Sequence, residues 1–253
     1  MYALVTGASS GIGKALAREL ASIGYDLILV ARREDRLIKL KKELEKSESC
    51  TCICIECDLS KAKNCVALFK RCKSYPISVV INNAGFGKTG DYNYIPLKDE
   101  LAMIRTNIEA VHILTKLFSN HIKKGVILNV ASIAAFYPVP IMATYGATKS
   151  YILNYSRAVN YELKKEKKPI RICVLCPGPV DTEFNQVAGA DFSLKSMSPE
   201  QCAKIAIAGM RKGKELIVPG ATTKMMSLLS HVSPSSISLP IEYKIQTKKI
   251  KYK

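Results

Sequence analysis

Short apolar runs rich in β-branched residues alternate with amphipathic helical patterns along most of this 253-residue chain. The stretch REDRLIKLKKELEKS shows the helical pattern, because leucine or isoleucine stands at positions 37, 38, 40 and 44 among charged neighbours, a period near the helical one. Such alternation favours a parallel sheet with right-handed crossovers and helices on both faces. No internal repeat or Pro/Gly/Ser-rich linker divides the chain, so we predict one α/β domain. The predicted strands cover residues 2–6, 25–31, 50–57, 77–82, 125–131, 170–176 and 215–218.

A glycine-rich turn, TGASSGIG, follows the first predicted strand. Its glycines permit a tight turn and let backbone amides approach a pyrophosphate at the start of the next helix. The G-x-x-x-G-x-G spacing differs from the G-x-G-x-x-G pattern of many dinucleotide sites, but the position between strand and helix still predicts dinucleotide binding. The turn residues expected to contact the cofactor are Gly7, Ser9, Ser10, Gly11, Ile12 and Gly13.

The second predicted strand ends in LILVARRED, a region where sites selective for NAD place a carboxylate, about 20 residues beyond the glycines. This chain has Arg32 and Arg33 there instead. A guanidinium suits the 2′-phosphate of NADP through its charge and its fork of donors. The alternative is that these arginines merely begin a polar helix. We predict that NADP(H) is the cofactor in preference to NAD(H).

Tyr145 and Lys149 are four residues apart, which places them one above the other on a helix face. An ammonium roughly 5 Å from a phenol, at an effective dielectric constant of about 20, contributes on the order of 3 kcal/mol, or about 2 pKa units. We therefore expect Lys149 to lower the pKa of Tyr145 and so to tune it as a catalytic acid. Tyr161 and Lys165 have the same spacing, but Thr148 stands where a partner serine would be needed.

The cysteine pattern argues against a disulfide framework or a zinc site. The run CTCICIECD spaces its thiols like strand residues, and the chain has nine cysteines but only three histidines. We expect packed, reduced core thiols, with no metal site, in a reducing compartment. Cys173 and Cys176 should point to opposite faces of a strand. The start of the chain does not resemble a signal peptide and no 18-residue apolar span is present, so we expect a cytoplasmic protein.

The chain is strongly basic, with a formal net charge of +17. Its lysines are spread along the predicted helices rather than interleaved with exposed aromatic residues, so we expect no specific nucleic-acid binding. The tail YKIQTKKIKYK leaves three alternatives open: a cover for the substrate cleft, a subunit interface or a contact with anionic membrane. We expect an exposed tail that follows a packed helix containing Met225, Met226, Leu228 and Leu229.

The motifs taken together resemble the short-chain dehydrogenase/reductase family. They are TGASSGIG, NNAG at 82–85, Ser132, the Tyr145/Lys149 pair and PGPVDT at 177–182, in this order. The resemblance implies a Rossmann-type doubly wound sheet of seven parallel strands in the order 3-2-1-4-5-6-7. It covers residues 1–220 as one dinucleotide-binding and catalytic domain, with 177–197 as a substrate lid loop. Residues 221–253 would add a C-terminal helix and the basic tail.

The resemblance also implies a role for individual residues. Ser132 would bind the carbonyl oxygen, Tyr145 would exchange the proton, Lys149 would hold the nicotinamide ribose, and Asn107 would connect the lysine to solvent through a water. Further cofactor contacts would come from Asp58 and Leu59 at the adenine, from Asn83, Ala84 and Gly85 at the adenine ribose, and from Pro177, Gly178, Val180 and Thr182 at the nicotinamide.

These residues predict an NADPH-dependent oxidoreductase that reduces a ketone or aldehyde reversibly. Candidate substrates are apolar, such as 3-oxoacyl thioesters or ketosteroids. The sequence does not distinguish reductases of these compounds from those that act on small hydroxy acids. The alternative is a sensor that binds NADP(H) without turnover. By the same resemblance we expect a homodimer or homotetramer. Candidate substrate-pocket residues are Phe86, Ala134, Phe136, Tyr137, Phe184 and Phe192.

Overall fold

The strands and helices follow the alternation predicted from the sequence. The computed structural model describes residues 1–189, 196–229 and 234–247. Within these ranges the strands are β1 Tyr2–Thr6, β2 Asp26–Ala31, β3 Cys52–Glu56, β4 Ile77–Asn82, β5 Gly125–Val130, β6 Ile170–Leu175 and β7 Leu216–Ile217. The helices are α1 Gly11–Ser22, α2 Glu34–Ser47, α3 Ala62–Cys72, α4 Leu97–Ile104, α5 Ala110–His121, α6 Ala143–Lys165, α7 Phe184–Ala188, α8 Pro199–Arg211, α9 Ala221–Leu229 and α10 Ser235–Thr247.

The strands of the described residues form one parallel sheet of seven, in the order β3-β2-β1-β4-β5-β6-β7. The predicted fold class is therefore confirmed. The chain leaves β1 toward β2 on one side and returns at β4 on the other, so a crevice opens between the carboxyl ends of β1 and β4. Ligands of open α/β sheets bind at such a switch point.

Both faces of the sheet are buried, as the nearly unbroken apolar strands require. In β1, Val5 belongs to the core layer that packs under α1, α2 and α8, whereas Leu4 points into the opposite layer under α3 and α5. Cys173 and Cys176 lie in different clusters, as predicted. All nine cysteines are free thiols. Across the described ranges no group of histidine, cysteine and carboxylate side chains is arranged to hold a metal ion.

The segment after residue 220 differs in part from the sequence prediction. The helix expected around Met225 is present as α9, but it is not packed as predicted, because the side chains of Met225, Leu228 and Leu229 are exposed. The start of the expected tail belongs to a further helix, α10, on which Tyr243 and Ile245 are exposed as expected. Gln246 of the same helix is buried. No helix in the part of the chain that the structure describes has the length and apolar character needed to cross a bilayer. Lys248, Lys249, Lys251 and Lys253 of the tail lie outside the described residues.

A buried polar network fastens α6 to the centre of the sheet. The Asn82 amide donates to Asn129 Oδ1 at 2.8 Å and to Thr115 Oγ1 at 3.1 Å. The Asn129 amide donates in turn to Ser156 Oγ of α6 at 2.8 Å. All four side chains are buried, so each needs its partner inside the protein. The network therefore fixes the position of the helix that carries Tyr145 and Lys149.

We predict that Asn129→Ala lowers the free energy of unfolding by about 1–3 kcal/mol, because the polar groups of Asn82 and Ser156 lose a partner that water cannot replace. Urea denaturation followed by circular dichroism measures the change. Asn154→Ala is the matched control, since Asn154 lies on the same helix and its exposed amide donates to the Ser150 carbonyl. The control should change stability by less than about 0.5 kcal/mol. Equal effects of the two substitutions would contradict a structural role for the network.

Candidate active site

One cavity of about 970 Å³ opens at the carboxyl ends of the strands. Its walls come from the loops after β1, β2, β4, β5 and β6, from the start of α6 and from the C-terminal helices. The residues singled out from the sequence that line it are Gly7, Ser9, Ser10, Gly11, Ile12, Arg32, Arg33, Asp58, Leu59, Asn83, Ala84, Gly85, Phe86, Ser132, Ala134, Tyr137, Tyr145, Lys149, Pro177, Gly178, Val180, Thr182 and Phe184.

Three residues singled out from the sequence do not line this cavity. Gly13 lies behind the glycine turn, where an added Cβ would come within 2.2 Å of the Gly7 carbonyl oxygen. Asn107 is buried behind the wall, next to Phe86. Phe136 packs instead against the cluster that contains Ile152 and Val174, so the structure contradicts its expected place in the substrate pocket. The remaining candidate, Phe192, lies outside the described residues.

The glycine turn forms an open cradle at the start of α1. Gly7 and Gly11 have φ of +66° and +52°, a left-handed conformation that side-chain-bearing residues rarely adopt. The Ser10 hydroxyl accepts from the Arg33 guanidinium at 2.8 Å rather than capping the helix. The first amides of α1 thus remain directed at the cavity, with the positive end of the helix dipole behind them. This arrangement fits the pyrophosphate of a dinucleotide.

A positively charged corner lies beside this cradle. The Arg33 side chain reaches the hydroxyls of Ser9 and Ser10, with its Nη2 atom 3.1 and 2.8 Å from the two oxygens. A guanidinium flanked by two hydroxyls offers several donors to a phosphate group. Glu183 of the loop after β6 occupies the other side of Arg33, at 2.9 Å. Sequence reasoning missed Glu183, because its contact with Arg33 joins residues 150 positions apart in the chain.

The carboxylate of Asp58 lies in the same cavity, after β3. Burial acts to raise its pKa, but hydrogen bonds from the hydroxyl and amide of Ser60 outweigh this effect and hold the pKa below its ordinary value. Those two bonds, at 2.7 and 3.1 Å, both end on Oδ1. Asp58 is therefore ionised at neutral pH and presents a hydrogen-bond acceptor to the cavity.

Ser132, Tyr145 and Lys149, the three polar side chains expected to be catalytic, line the other end of the cavity. Tyr145 and Lys149 lie on the buried face of α6, and Ser132 follows β5. The Lys149 ammonium donates to the Val130 carbonyl at 2.8 Å and lies 5.7 Å from the centre of the Tyr145 ring. The Ser132 hydroxyl accepts from the Ala134 amide at 3.2 Å, so it also caps a short helical turn.

Burial, rather than the neighbouring charge, controls the two titratable groups. It raises the pKa of Tyr145 to about 12, with the Ser132 hydroxyl acting in the opposite direction. It lowers the pKa of Lys149 to about 8. The expectation that Lys149 brings the phenol toward neutrality is therefore wrong for the protein without cofactor. Loss of hydration on burial is the largest effect on both groups, and the ammonium donates to the Val130 carbonyl rather than to the phenol.

Asn107 lies where the α-helical hydrogen bonding between α4 and α5 is interrupted. Residues Arg105–Glu109 form a π-helical stretch, a local widening that often marks functional sites. The Asn107 side chain accepts from the Phe86 amide at 3.1 Å and donates to the Phe86 carbonyl at 2.9 Å. It also donates to Thr148 Oγ1 at 3.1 Å. Asn107 thus joins the β4 loop to α6, one residue before Lys149.

An apolar wall surrounds Tyr145 on the substrate side. The Phe184 ring lies against the phenol, with 5.3 Å between the ring centres. Gly87 makes room for this pair, since an added Cβ would come within 2.7 Å of Phe184. Sequence reasoning missed several apolar residues that line the cavity. Val139 and Met142 lie in an apolar segment directly before α6, which was the signal that could have identified them. The additional residues are Val139 and Met142, which pack with Tyr145, and Met226 and Ile245, which line the same cavity.

Comparisons with known proteins identify the family. The family model described as short chain dehydrogenase matches residues 1–192. The chain is 28% identical over 250 residues to 11-beta-hydroxysteroid dehydrogenase-like 2 of Arabidopsis thaliana, covering 95% of this chain and 80% of the relative. It is 30% identical over 231 residues to very-long-chain 3-oxoacyl-CoA reductase-B of Danio rerio, covering 87% of this chain and 72% of the relative.

A solved structure gives the same result. The short-chain dehydrogenase from Sphingobium yanoikuyae, determined in complex with NADPH, superposes with a TM-score of 0.81 at 28% identity. The match covers 99% of this chain and 96% of that one. The sequence motifs, the sheet order and these matches agree. The chain belongs to the short-chain dehydrogenase/reductase family and is an oxidoreductase that binds a nicotinamide cofactor and acts on carbonyl and alcohol groups.

Proposed function

We propose that this protein is an NADP(H)-dependent reductase of apolar ketones or aldehydes. The observation that carries the proposal is the convergence of Ser132, Tyr145 and Lys149 at one end of a single cavity whose other end holds Arg33. Ser132, Tyr145 and Lys149 supply the hydrogen bonds and the proton that reduction of a carbonyl requires. Arg33 supplies the positive charge that binds a phosphorylated adenosine. The cavity joins the two sites, as a dinucleotide with the substrate at its nicotinamide would require.

The proton chemistry follows from the state of each side chain. When bound, the cofactor supplies a hydride to the carbonyl carbon or accepts one from the alcohol. The Ser132 hydroxyl donates a hydrogen bond to the carbonyl oxygen. Tyr145, with a pKa of about 12, carries its proton at neutral pH and donates it to the oxygen as negative charge develops there. The Lys149 ammonium then stabilises the phenolate that remains.

Lys149 has a second task in this proposal, because its ammonium lies beside Gly85 and can bind the hydroxyls of the nicotinamide ribose. Asn107 acts as a positioning residue that ties the loop of Phe86 to α6. The predicted water path from Asn107 to Lys149 remains part of the proposal. In the oxidation direction the same groups run in reverse, with the phenolate taking the proton of the alcohol.

The preference for NADP(H) rests on Arg33. Its guanidinium already meets Ser9 and Ser10, so three donors point to one corner beside the glycine turn. The Sphingobium yanoikuyae relative in complex with NADPH is consistent with this assignment. Arg32 lines the same cavity and adds positive charge.

The apolar substrate class rests on the wall around Tyr145 and on the relatives. Phe86, Val139, Met142 and Phe184 surround the phenol, so a bulky apolar group next to the carbonyl would be well packed. The relatives are named for 3-oxoacyl-CoA and hydroxysteroid substrates, which are carbonyl or alcohol compounds with large apolar bodies. Assembly as a homodimer or homotetramer stays a prediction.

The alternative is a sensor that binds NADP(H) without turnover. A sensor has no need for a buried phenol beside a buried ammonium, two groups whose burial costs stability. The presence of both therefore favours the enzyme.

We predict that Tyr145→Phe lowers kcat for carbonyl reduction by about 10²–10⁴-fold, because the acid is lost while the ring and its packing remain. Loss of NADPH absorbance with 3-oxoacyl thioesters and ketosteroids measures the rate, and fluorescence titration shows that NADPH still binds. Tyr161→Phe is the matched control: Tyr161 also has a lysine four residues later, but its ring is exposed. A mutant Tyr145→Phe as active as the control would contradict the proposed acid.

We predict that kcat/KM for NADPH falls as the pH rises through about 8. Burial lowers the pKa of Lys149, so the ammonium is present below this pH and lost above it. Tyr145 keeps its proton to a much higher pH and does not set this limit. A pH profile of the wild type, beside Lys149→Arg, tests the assignment, since arginine stays charged. A profile that is flat to pH 10, or an unchanged fall in the arginine variant, would be inconsistent with it.

We predict that Arg33→Gln lowers kcat/KM for NADPH by about 10–100-fold, as expected for the loss of charged hydrogen bonds to a phosphate. The value for NADH should change little, because NADH has no 2′-phosphate. Arg18→Gln serves as the control, since Arg18 pairs with Glu43 on the outside of the sheet. Equal losses with the two cofactors would show that Arg33 does not select the phosphate.

A further inference from the structure

Glu183 forms an ionic contact across the adenosine end of the cavity. Its Oε2 accepts from Arg33 Nη1 at 2.9 Å, and its Oε1 accepts from Arg36 Nη1 at 2.5 Å. Arg33 and Arg36 lie at the start of α2, whereas Glu183 belongs to the loop between β6 and α7. The carboxylate therefore connects two opposite walls of the cofactor cavity.

The carboxylate lies at the edge of the Arg33 guanidinium that Ser9 and Ser10 do not contact. Ser9 and Ser10 take the hydrogen bonds of Nη2 and Nε, and Glu183 takes the bond of Nη1. The hydrogen bonds from Arg33 and Arg36 hold the pKa of Glu183 below its ordinary value, so the group is ionised at neutral pH. A phosphate bound at this corner would meet a negative charge already paired with Arg33.

The contact is weak enough to be exchanged. The side chains of Glu183, Arg33 and Arg36 are 42%, 42% and 41% exposed, and ion pairs this open to water contribute little to stability. A phosphate carries more charge than a carboxylate and more acceptor oxygens, so it can replace Glu183 on Arg33. Glu183 retains Arg36 after that exchange, since Arg36 lies one helical turn further along α2.

We propose that Glu183 is a specificity-determining residue that competes with the 2′-phosphate of NADP(H) for Arg33 and so limits the preference for the phosphorylated cofactor. This inference rests on the proposed function, because it assumes that Arg33 receives that phosphate. NADPH has to displace the carboxylate from Arg33, whereas NADH leaves the Glu183–Arg33 pair intact. The chain thus combines a feature that selects NADP(H) with one that restrains the selection.

The opposite role for Glu183 has a distinct consequence. If the carboxylate served to hold Arg33 in the orientation that binds the phosphate, its loss would weaken the binding of phosphorylated adenosine. Competition and orientation therefore predict changes of opposite sign in the same measurement.

The test uses Glu183→Gln, which removes the charge and keeps the shape of the side chain. Isothermal titration measures the Kd of 2′,5′-ADP and of 5′-ADP, two probes that differ at the 2′ position and need no turnover. Competition predicts that the variant binds 2′,5′-ADP roughly 3- to 10-fold more tightly at low salt, while binding of 5′-ADP changes less than about twofold. The gain should shrink as salt is added.

Glu200→Gln is the matched control. It changes the net charge by the same amount and removes a carboxylate that faces Arg18 at 4.0 Å, on α8. The control should leave the Kd of both probes within about twofold, because Glu200 is not part of the cavity wall. Unchanged or weaker binding of 2′,5′-ADP by Glu183→Gln would overturn the inference, as would an equal gain in Glu200→Gln.

Failure of the proposed function has a different signature. If neither the wild type nor Glu183→Gln binds 2′,5′-ADP more tightly than 5′-ADP, Arg33 does not receive the phosphate, and the NADP(H) preference fails together with the inference. A wild-type protein that prefers 2′,5′-ADP, with no gain in Glu183→Gln, would overturn only the role of Glu183.

Discussion

The burial of an ammonium group beneath the cavity is the constraint on which the site depends. Lys149 is 6% exposed, and its charge is supported by the Val130 carbonyl at the end of β5. That contact requires α6 to lie at a fixed height against the sheet, and the chain from Asn82 through Asn129 to Ser156 supplies the anchor. The same burial brings the pKa of Lys149 near physiological pH and keeps the proton on Tyr145. One packing arrangement thus sets both the geometry and the protonation states.

The two ends of the cavity differ in physical character. The adenosine end is polar and open to water, so Arg33, Ser9 and Glu183 can exchange partners there at little cost. The Tyr145 end is enclosed by aromatic and aliphatic side chains, where each charge and hydrogen bond carries more weight because water is excluded. The loop after β6 connects the ends directly, since Glu183 contacts Arg33 and the next residue, Phe184, packs on the Tyr145 ring.

The fold could be predicted from the sequence, because buried parallel strands such as β1 and its neighbours leave short apolar runs that alternate with amphipathic helices. The sequence also predicted which residues share the site. Gly7, Ser132 and Pro177 each follow a strand, and the carboxyl ends of parallel strands lie at the same edge of a sheet. Sequence reasoning failed where the outcome depends on solvation or on distant contacts. The direction of the Tyr145 pKa reflects burial that spacing does not encode, and the Glu183–Arg33 pair joins segments with no local pattern. Phe136 and Tyr137 are neighbours in sequence, but only Tyr137 faces the cavity.

The central claim is that Tyr145 and its neighbours protonate a carbonyl that receives a hydride from the bound cofactor. The most direct measurement is the transfer of deuterium from NADPH deuterated at the reactive nicotinamide carbon to a panel of 3-oxoacyl thioesters and ketosteroids, followed by mass spectrometry of the alcohols. The account predicts an alcohol that carries one cofactor-derived deuterium on its carbinol carbon. Binding of NADPH with no labelled alcohol from any member of the panel would contradict the account and favour the sensor.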